Sequence, residues 1–437
     1  MTIFSKSADS TIVHIEKLVP GGDGLGHLDD GVVFVPLTAP GDVVSIKEVC
    51  KRRGVRFATI YDLVERSSGR RDPPCPWFGD CGGCQWMHME YPVQLRWKED
   101  IFRQALRRIG NIRETPSIVV HPAPSQFEYR FRARIQFKAP VIGYYSRGSN
   151  NIVPWDRCLL LPEGLNAAVK DMRELFGDNH APASIRSCEA ALSPVDRSLT
   201  YSWQFSQGKG NGAAAGKVMD RMERISARRK VDLAGQCAQD MRGKVIEARG
   251  GSLHLDVRGV GLSASPGTFF QVNPAVNEVL VGRSLVHLRS EGAKNLLDLY
   301  CGHGNFSLPA AAAGIRTVGV ESFPGAVQDA LWMSGPGSHF VEMDAARFLA
   351  GNTAVRDTVI VDPPRTGLPG DVVRMLVTHR CRLLIYVSCE PSTLARDLAR
   401  LTGAGYVICG IELFDMFPQT FHSEALVVMK GPDSHAR

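Results

Sequence analysis

The sequence predicts an α/β protein of more than one domain, with a small β-barrel first and a doubly wound, mostly parallel sheet last. At 437 residues, the chain is too long for one ordinary hydrophobic core, so two or three domains are expected. Strand-like and helix-like segments alternate over residues 266–437. Short strand-like segments separated by Gly and Pro turns fill residues 1–65. We therefore divide the chain at residues 1–65, 66–265 and 266–437.

The first region is predicted to be all-β. Residues 11–18 alternate apolar and polar side chains at the period of a strand. A turn-rich segment, PGGDGLG, occupies 20–26, and further strands are predicted at 31–36 and 42–50. Short strands in this arrangement favour a barrel.

The middle region has a mixed α+β pattern. Residues 94–109 have helical spacing and many long basic side chains, and strands are predicted at 130–145, 185–205 and 244–259. The Gly/Ala-rich stretch 207–217 predicts a flexible loop, and 220–242 has the composition of a helix.

The last region predicts the doubly wound sheet. Its predicted helices lie at 306–313 and 325–334, and its predicted strands lie at 295–299, 317–321, 359–361, 383–387 and 425–430. Ligands of such sheets bind outside the carboxyl ends of the strands, so residues just after these strands are the first candidates for a site.

Charge and composition limit the partners and the compartment. Lys and Arg concentrate in the first third of the chain, at 51–71, 96–113 and 128–147. Each cluster could be an ordinary solvated face, but three together favour a polyanion such as nucleic acid. No apolar run is long enough for a membrane span, and the N-terminus lacks the apolar stretch of a secretory signal, so we expect a cytoplasmic protein.

Four of the eleven cysteines have a metal-ligand pattern. Cys75, Cys81 and Cys84 form C-x5-C-x2-C, and Cys158 is a candidate fourth ligand. Zinc and iron–sulfur clusters both take four thiolates, and spacing alone does not separate them. Three close ligands and one remote ligand fit a [4Fe–4S] cluster better than paired zinc knuckles. The alternative is that these thiols are buried by coincidence.

A Gly-bearing turn after the strand 295–299 predicts a nucleotide-type cofactor pocket. Gly302 and Gly304 permit close approach of a ligand to the backbone, although Ser307 stands where dinucleotide enzymes have a third glycine. Glu321 and Asp344 follow the next two apolar segments. A Gly turn followed by these two acids is typical of class I S-adenosylmethionine (SAM) methyltransferases, although either acid alone could be a strand-end cap.

A thiol and a carboxylate are predicted at the same edge of the sheet. Cys389 ends the apolar run that contains the strand 383–387, and Asp362 ends the run that contains 359–361. This pair suggests nucleophilic chemistry on a planar, electron-poor group.

The motifs DLYCGHGNFSL, VDPPRTGL, YVSCEPSTLARDL and FHSEALVVM, with FFQVNP upstream, resemble the RNA uracil-5 methyltransferases. The chain is most similar to the branch that acts on 23S ribosomal RNA and carries a [4Fe–4S] cluster. The stretch GGDGLGHLDDGVVFVPLTAPGDVV, residues 21–44, resembles the TRAM domain, an OB-like RNA-binding barrel.

The resemblance implies a Rossmann-like SAM methyltransferase domain and specific residue roles. Cys389 would add to uracil C6, Glu424 would remove the C5 proton, and Asp362 would contact the uracil edge. The contacts to SAM would come from Gln271, Tyr300, Asn305, Glu321, Asp344 and Asp362. Cys75, Cys81, Cys84 and Cys158 would hold the cluster. RNA, most simply 23S ribosomal RNA, is the expected partner, and we expect a monomer.

Two departures and two alternatives accompany this interpretation. Glu390 stands where the family has Asn, and a carboxylate beside Cys389 could raise the pKa of the thiol. The stretch 207–217 resembles an insertion. The substrate could instead be transfer RNA, or the chain could be a non-catalytic RNA-binding iron–sulfur protein.

Overall fold

A computed structural model describes residues 11–29, 31–52, 55–138, 141–177, 184–206, 211–351 and 357–432. These residues fall into two compact units. Unit 1 comprises those within Met1–Arg103, Tyr145–Asn150 and Phe417–His422, and unit 2 comprises the rest. Among the described residues, no helix is long and apolar enough to cross a membrane.

The secondary structure consists of strands and helices with the following bounds. The strands are β1 (Thr11–His14), β2 (Lys17–Leu18), β3 (Gly24–Leu28), β4 (Gly31–Val35), β5 (Val43–Arg52), β6 (Val55–Glu65), β7 (Ile118–His121), β8 (Arg132–Lys138), β9 (Val141–Tyr145), β10 (Ile152–Val153), β11 (Ile185–Leu192), β12 (Leu199–Phe205), β13 (Leu233–Asp240), β14 (Val245–Gly250), β15 (Leu253–Val257), β16 (Val260–Ala264), β17 (Asn295–Leu299), β18 (Arg316–Glu321), β19 (Ser338–Glu342), β20 (Thr358–Val361), β21 (Leu383–Ser388), β22 (Val407–Phe414) and β23 (Glu424–Lys430). The helices are α1 (Tyr91–Arg108), α2 (Glu163–Gly177), α3 (Asn211–Arg229), α4 (Pro274–Ser290), α5 (Ser307–Ala312), α6 (Pro324–Trp332), α7 (Ala345–Gly351), α8 (Gly370–His379) and α9 (Pro391–Gly403).

Unit 1 is built on a six-stranded sheet in the order β1-β5-β6-β4-β3-β2. Alternate residues of its strands form an apolar core that includes Val13, Val33, Val35, Val44 and Ile46. The predicted strands at 11–18, 31–36 and 42–50 are confirmed, with a break inside the first.

Gln419 is fully buried in unit 1 and forms several hydrogen bonds there. Its backbone φ of 69° lies in the left-handed region, which is uncommon outside glycine. Its carbonyl accepts from the N–H groups of Gln85 and Trp86 at 3.1 and 3.0 Å. Its side-chain oxygen accepts from Arg71 and Gln94, and Gln94 accepts in turn from its N–H. These bonds offset the strained conformation.

Unit 2 contains a seven-stranded sheet in the order β10-β9-β8-β11-β12-β13-β14, and α2 and α3 pack on it. The prediction of a loop over 207–217 is wrong from Asn211 onward, because these residues begin α3; residues 207–210 lie outside the described part. The helix predicted over 220–242 ends at Arg229, and β13 follows. Burial of an i, i+3, i+4 stripe, including Ala215, Val218 and Met222, explains the helix despite its glycines.

The second sheet of unit 2 has eight strands in the order β19-β18-β17-β20-β21-β23-β22-β7. The first five strands in this order, β19, β18, β17, β20 and β21, pair in parallel. Strand β23 lies between β21 and β22 and is antiparallel to both. The predicted doubly wound, mostly parallel sheet is therefore confirmed. Strand β7, which sequence patterns did not reveal, adds an edge parallel to β22.

Candidate functional site

The carboxyl edge of the eight-stranded sheet brings three predicted residues together. Cys389 directly follows β21, and Asp362 directly follows β20. Because β23 runs antiparallel, its first residue, Glu424, also lies at this edge: the pair Ser388 and Ala425 places Glu424 opposite Cys389. Glu424 is 3% exposed, while Cys389 and Asp362 are half-buried. A thiol and two carboxyl groups therefore share one edge.

The Cys389 thiol holds its proton tightly. Burial raises its pKa to about 12, and the charges of Glu424 and Asp362 act in the same direction. Arg365 opposes them through its charge and through a side-chain hydrogen bond to Cys389. Without ligands, these surroundings favour the protonated thiol.

Both neighbouring carboxyl groups also favour their protonated forms. Burial, and then the charge of Asp362, raises the pKa of Glu424 well above its ordinary value, and Arg365 lowers it. Burial, and then the charge of Asp298 on β17, raises the pKa of Asp362. Two carboxyl groups with raised pKa values beside a buried thiol are the kind of arrangement found at functional sites.

The loop after β20 holds Arg365 by bonds to α9. Thr393 donates its hydroxyl proton to the carbonyl of Arg365 at 3.0 Å, and Arg396 donates to the carbonyl of Thr366 at 3.0 Å. Gly367 has a φ of 74° and closes the turn by donating to Pro364 at 2.8 Å. The backbone that carries Arg365 is thus fixed against the helix that follows Cys389.

Glu390 has a local structural role. It is the N-cap of α9, and its carboxylate accepts the N–H of Ser392 at 3.3 Å. It is not among the charges that shift the pKa of Cys389. The expectation that Glu390 raises the thiol pKa finds no support in this geometry.

The Gly-bearing turn after β17 leaves open space beside its backbone. Tyr300, Gly302 and Gly304 all have positive φ, at 63°, 54° and 92°. A Cβ at Gly302 would meet no atom within 4 Å, so a ligand can approach this backbone closely. Glu321, at the end of β18, accepts the N–H of Gly302 at 3.2 Å and that of Phe323 at 2.8 Å.

The other predicted cofactor residues lie in unit 2 as well. Asn305 is buried and exchanges two amide hydrogen bonds with Asn277 of α4 at 2.8 and 3.1 Å. Gln271 is 8% exposed and lies just before Asn273, the N-cap of α4. Asp344 accepts from the N–H groups of Ala346 and Arg347 at the start of α7. The groove of about 480 Å³ that Arg316 and His339 line is at the amino ends of the strands, and so is not this site.

The four predicted cluster ligands are divided between the units. Cys75, Cys81 and Cys84 belong to unit 1 and Cys158 to unit 2, and all are half-buried. The N–H of Gly83 donates to the sulfur of Cys81 at 3.4 Å. Within the described ranges, no three His, Cys, Asp or Glu side chains are grouped closely enough to hold a metal ion.

Sequence reasoning missed three residues that support these sites. Asp298 and Arg365 are part of the motifs quoted above. The residues that each of them lies close to in space depend on strand register and loop geometry, which the motifs do not reveal. Asn166, on α2, accepts the N–H of Cys158 at 2.9 Å and donates to its carbonyl at 3.1 Å. No periodicity or motif in the sequence indicates this last contact.

Comparison with known proteins gives two family matches. Residues 247–333 and 351–431 match the family described as tRNA (Uracil-5-)-methyltransferase. Residues 12–68 match the TRAM domain of tRNA (uracil(54)-C(5))-methyltransferase, in agreement with the resemblance of the first region to a TRAM domain.

Individual relatives cover nearly the whole chain. An uncharacterized RNA methyltransferase of Gloeobacter violaceus is 32% identical over 96% of both chains. The 23S rRNA (uracil(1939)-C(5))-methyltransferase of Shewanella amazonensis is 29% identical over 97% of this chain and 96% of its own. Among solved structures, the Pyrococcus abyssi tRNA (uracil-54, C5)-methyltransferase with S-adenosyl-L-homocysteine has a TM-score of 0.74 at 24% identity, covering 96% of this chain and all of that chain. The last match supports the fold.

Proposed function

The chain belongs to the SAM-dependent RNA uracil-5 methyltransferases, and from this premise we propose that it forms 5-methyluridine in 23S ribosomal RNA with Cys389 as the nucleophile. The observation that carries the mechanism is the placement of Cys389, Glu424 and Asp362 at one edge of the sheet. The printed function of the Shewanella relative supports the choice of RNA.

The proposed reaction begins with addition of the Cys389 thiolate to uracil C6. The new S–C6 bond moves the electron pair of the C5–C6 double bond onto C5 and O4, which makes C5 nucleophilic. C5 would then take the electrophilic methyl group that SAM supplies, and the bond from that methyl group to sulfur would break to leave S-adenosylhomocysteine. Glu424 then accepts the C5 proton, the C–H electron pair restores the C5–C6 double bond, and the S–C6 bond breaks to release Cys389. Asp362 would hydrogen-bond the uracil edge.

The electrostatics of the site set a condition for this reaction. Cys389 must lose its proton before addition, and Glu424 must be ionised when it accepts the C5 proton. Both pKa values are raised by burial and by neighbouring acids, so the ligand-free site disfavours the ionised form of each group. Arg365 is the described cation that opposes this, and it favours the thiolate.

The turn after β17 supports the proposed cofactor residues. The open backbone at Gly302 and the acids that surround it suit a ligand with positive charge and ribose hydroxyl groups. We assign Gln271, Tyr300, Asn305, Glu321, Asp344 and Asp362 to this role. Calorimetric titration with S-adenosylhomocysteine tests it: Glu321→Ala should weaken binding, while Glu278→Ala on the outer part of α4 should not.

We also propose that Cys75, Cys81, Cys84 and Cys158 hold a [4Fe–4S] cluster. The donor set suits such a cluster: all four ligands are thiols, one already receives a backbone N–H, and Asn166 fixes the backbone of another. Anaerobically purified protein should contain about four iron atoms and about four sulfides per chain. Cys158→Ser should lose them and Cys409→Ser, at an exposed thiol, should retain them. Iron-free wild-type protein would contradict the assignment.

Trapping with 5-fluorouridine tests the catalytic role. In 5-fluorouridine, C5 carries fluorine in place of hydrogen, so Glu424 has no proton to remove there. The S–C6 bond should therefore persist after methylation. RNA with 5-fluorouridine and SAM should give a covalent complex with the wild type and with Cys409→Ala, and none with Cys389→Ala. A non-catalytic RNA-binding protein would give none with any variant.

The RNA substrate needs a separate experiment, because transfer RNA is the target in the family's printed name. Mapping of 5-methyluridine in RNA from a deletion strain should show one site lost from 23S ribosomal RNA. Loss from transfer RNA alone would replace our substrate while leaving the chemistry intact.

A further inference from the structure

Asp397 is a buried carboxyl group on α9 to which the proposed reaction gives no role. It is 0% exposed. Its Oδ2 accepts the N–H of Leu368 at 2.8 Å and the hydroxyl proton of Tyr386 at 2.9 Å. Leu368 belongs to the loop between β20 and α8, residues 362–369, and Tyr386 lies on β21, three residues before Cys389. One carboxyl group therefore joins this loop to α9 and to the strand that leads to the thiol.

Two arginines of α9 pair with the same carboxyl group. Arg396 donates to Oδ1 of Asp397 at 2.9 Å and to Oδ2 at 3.1 Å, and Nη1 of Arg400 lies 3.8 Å from Oδ1. Both arginine side chains are partly exposed. A buried charge needs ion-pair partners as well as hydrogen-bond donors, and Asp397 has both.

The loop between β20 and α8 lies very close to α9 at Gly367. A Cβ at this position would lie 2.5 Å from Oδ2 of Asp397 and 3.0 Å from Cβ of Thr393, so a larger residue does not fit. Counting the bonds from Thr393 and Arg396 described above, each of the four residues 365–368 meets α9. Of the three hydrogen bonds among these contacts, the bond from Leu368 to Asp397 is buried, so water competes with it least.

We propose that Asp397 is a positioning residue that holds Arg365 beside the Cys389 thiol. The inference rests on the proposed role of Cys389 as the nucleophile. The side chain of Arg365 is exposed, and an exposed arginine has many conformations open to it. Its hydrogen bond to Cys389 therefore depends on where the loop holds its backbone.

The charges around the thiol respond unequally to a displacement of this loop. Asp362 is the first residue of the loop, but its N–H is bonded to the carbonyl of Leu299 at 3.3 Å, and Glu424 is held by the pairing of β23. Both acids disfavour the thiolate of Cys389, whereas Arg365 favours it. A loop that moves away from α9 would take the cation from the thiol and leave both acids in place.

Two alkylating reagents of similar size measure the positive charge at Cys389. Iodoacetate is an anion and iodoacetamide is neutral, so the ratio of their alkylation rates rises when a cation lies near the sulfur. A change in access to the thiol alters both rates alike and leaves the ratio unchanged. A unit charge about 5 Å away in surroundings like water changes the ratio about fourfold. Asp397→Ala and Arg365→Gln should each lower the ratio by about this factor.

Two further variants calibrate the measurement. Asp397→Asn keeps one oxygen that can accept from Leu368 and Tyr386, so its ratio should lie between those of Asp397→Ala and the wild type. Asp357→Ala removes an acid that pairs with Arg382 at the amino end of β20, and it should retain the wild-type ratio.

A double variant shows whether Asp397 acts through Arg365. If it does, Asp397→Ala combined with Arg365→Gln should have the same ratio as Arg365→Gln alone. A further fall of the ratio in the double variant would mean that Asp397 acts independently of Arg365, and would overturn the inference. Equal changes of both rates in Asp397→Ala, with a wild-type ratio, would also overturn it, because Asp397 would then be structural only.

Gly367→Ala serves as the test if Asp397→Ala does not fold. This variant keeps the carboxyl group but places a methyl group 2.5 Å from it, so the loop must move and the ratio should fall. A wild-type ratio in Gly367→Ala would contradict the inference. The alkylation assay uses neither RNA nor SAM. Failure of the 5-fluorouridine trapping would therefore remove the proposed role of Cys389 without changing these ratios.

Discussion

Replacement of Arg365 by Gln should make the Cys389 thiol less acidic. Arg365 hydrogen-bonds Cys389 and opposes the charges of Glu424 and Asp362, which help to raise the thiol pKa to about 12. A hydrogen bond to a charged group contributes about 1.5–3 kcal/mol. Because Arg365 is exposed, solvent screens its effect toward or below the lower end of that range. The expected change is about one pKa unit, or about a tenfold smaller thiolate fraction.

The assay is alkylation of Cys389 by iodoacetamide, followed by mass spectrometry of its peptide across neutral and alkaline pH. At pH values below the thiol pKa, Cys389 of Arg365→Gln should be alkylated about tenfold more slowly than Cys389 of the wild type. The alkylation rate of Arg365→Lys should lie between those of Arg365→Gln and the wild type. Arg316→Gln, at the amino end of β18, is the matched control and should behave as the wild type. Equal alkylation rates for Arg365→Gln and the wild type at every pH would refute the reasoning.

Three further predictions follow from the same electrostatics and caps. The single-turnover methylation rate should rise with pH above neutrality, because Cys389 and Glu424 have raised pKa values and must both lose protons; a flat profile would contradict this. Glu390→Ala should lower the free energy of unfolding by about 1 kcal/mol, through loss of the N-cap, without slowing alkylation of Cys389. Glu412→Gln should lower the free energy of unfolding, measured in urea at neutral pH, by about 3 kcal/mol. Burial alone would raise the pKa of Glu412, but bonds to His287, Arg283 and His121 outweigh burial and lower the pKa from 4.5 to about 2 on folding. This contribution is present above about pH 4.5 and disappears as pH falls toward about 2, so the variant and the wild type should converge in acid.

The sequence predicted that Cys389 and Asp362 lie at the same edge of the sheet because strand ends leave a strong local signal. Cys389 and Asp362 each terminate an apolar run, and parallel strands place such ends together. Glu424 is harder to place: it begins a strand, and it reaches this edge only because β23 is antiparallel. The resemblance to the family, rather than the pattern of residues, indicated its role.

Other features depend on contacts that no local pattern encodes. The glycines at 212 and 216 predicted a loop, yet the apolar stripe of α3 is buried on the central sheet, and tertiary packing outweighs the weak helix propensity. The segment Phe417–His422 belongs to unit 1 although both flanking strands lie in unit 2. Partners such as Asp298 for Asp362, or Asn166 for Cys158, follow from register and from packing between elements distant in sequence.

The insertion of β23 between β21 and β22 has a consequence for synthesis on the ribosome. Cys389, the proposed nucleophile, emerges before α9 and β22, and the strand that carries Glu424 emerges after both of its neighbours. Until then, β21 and β22 present unpaired facing edges, which are prone to misassociation. Nascent chains that stop before residue 424 should accordingly neither complete the sheet nor turn over substrate. Activity should therefore require translation through β23.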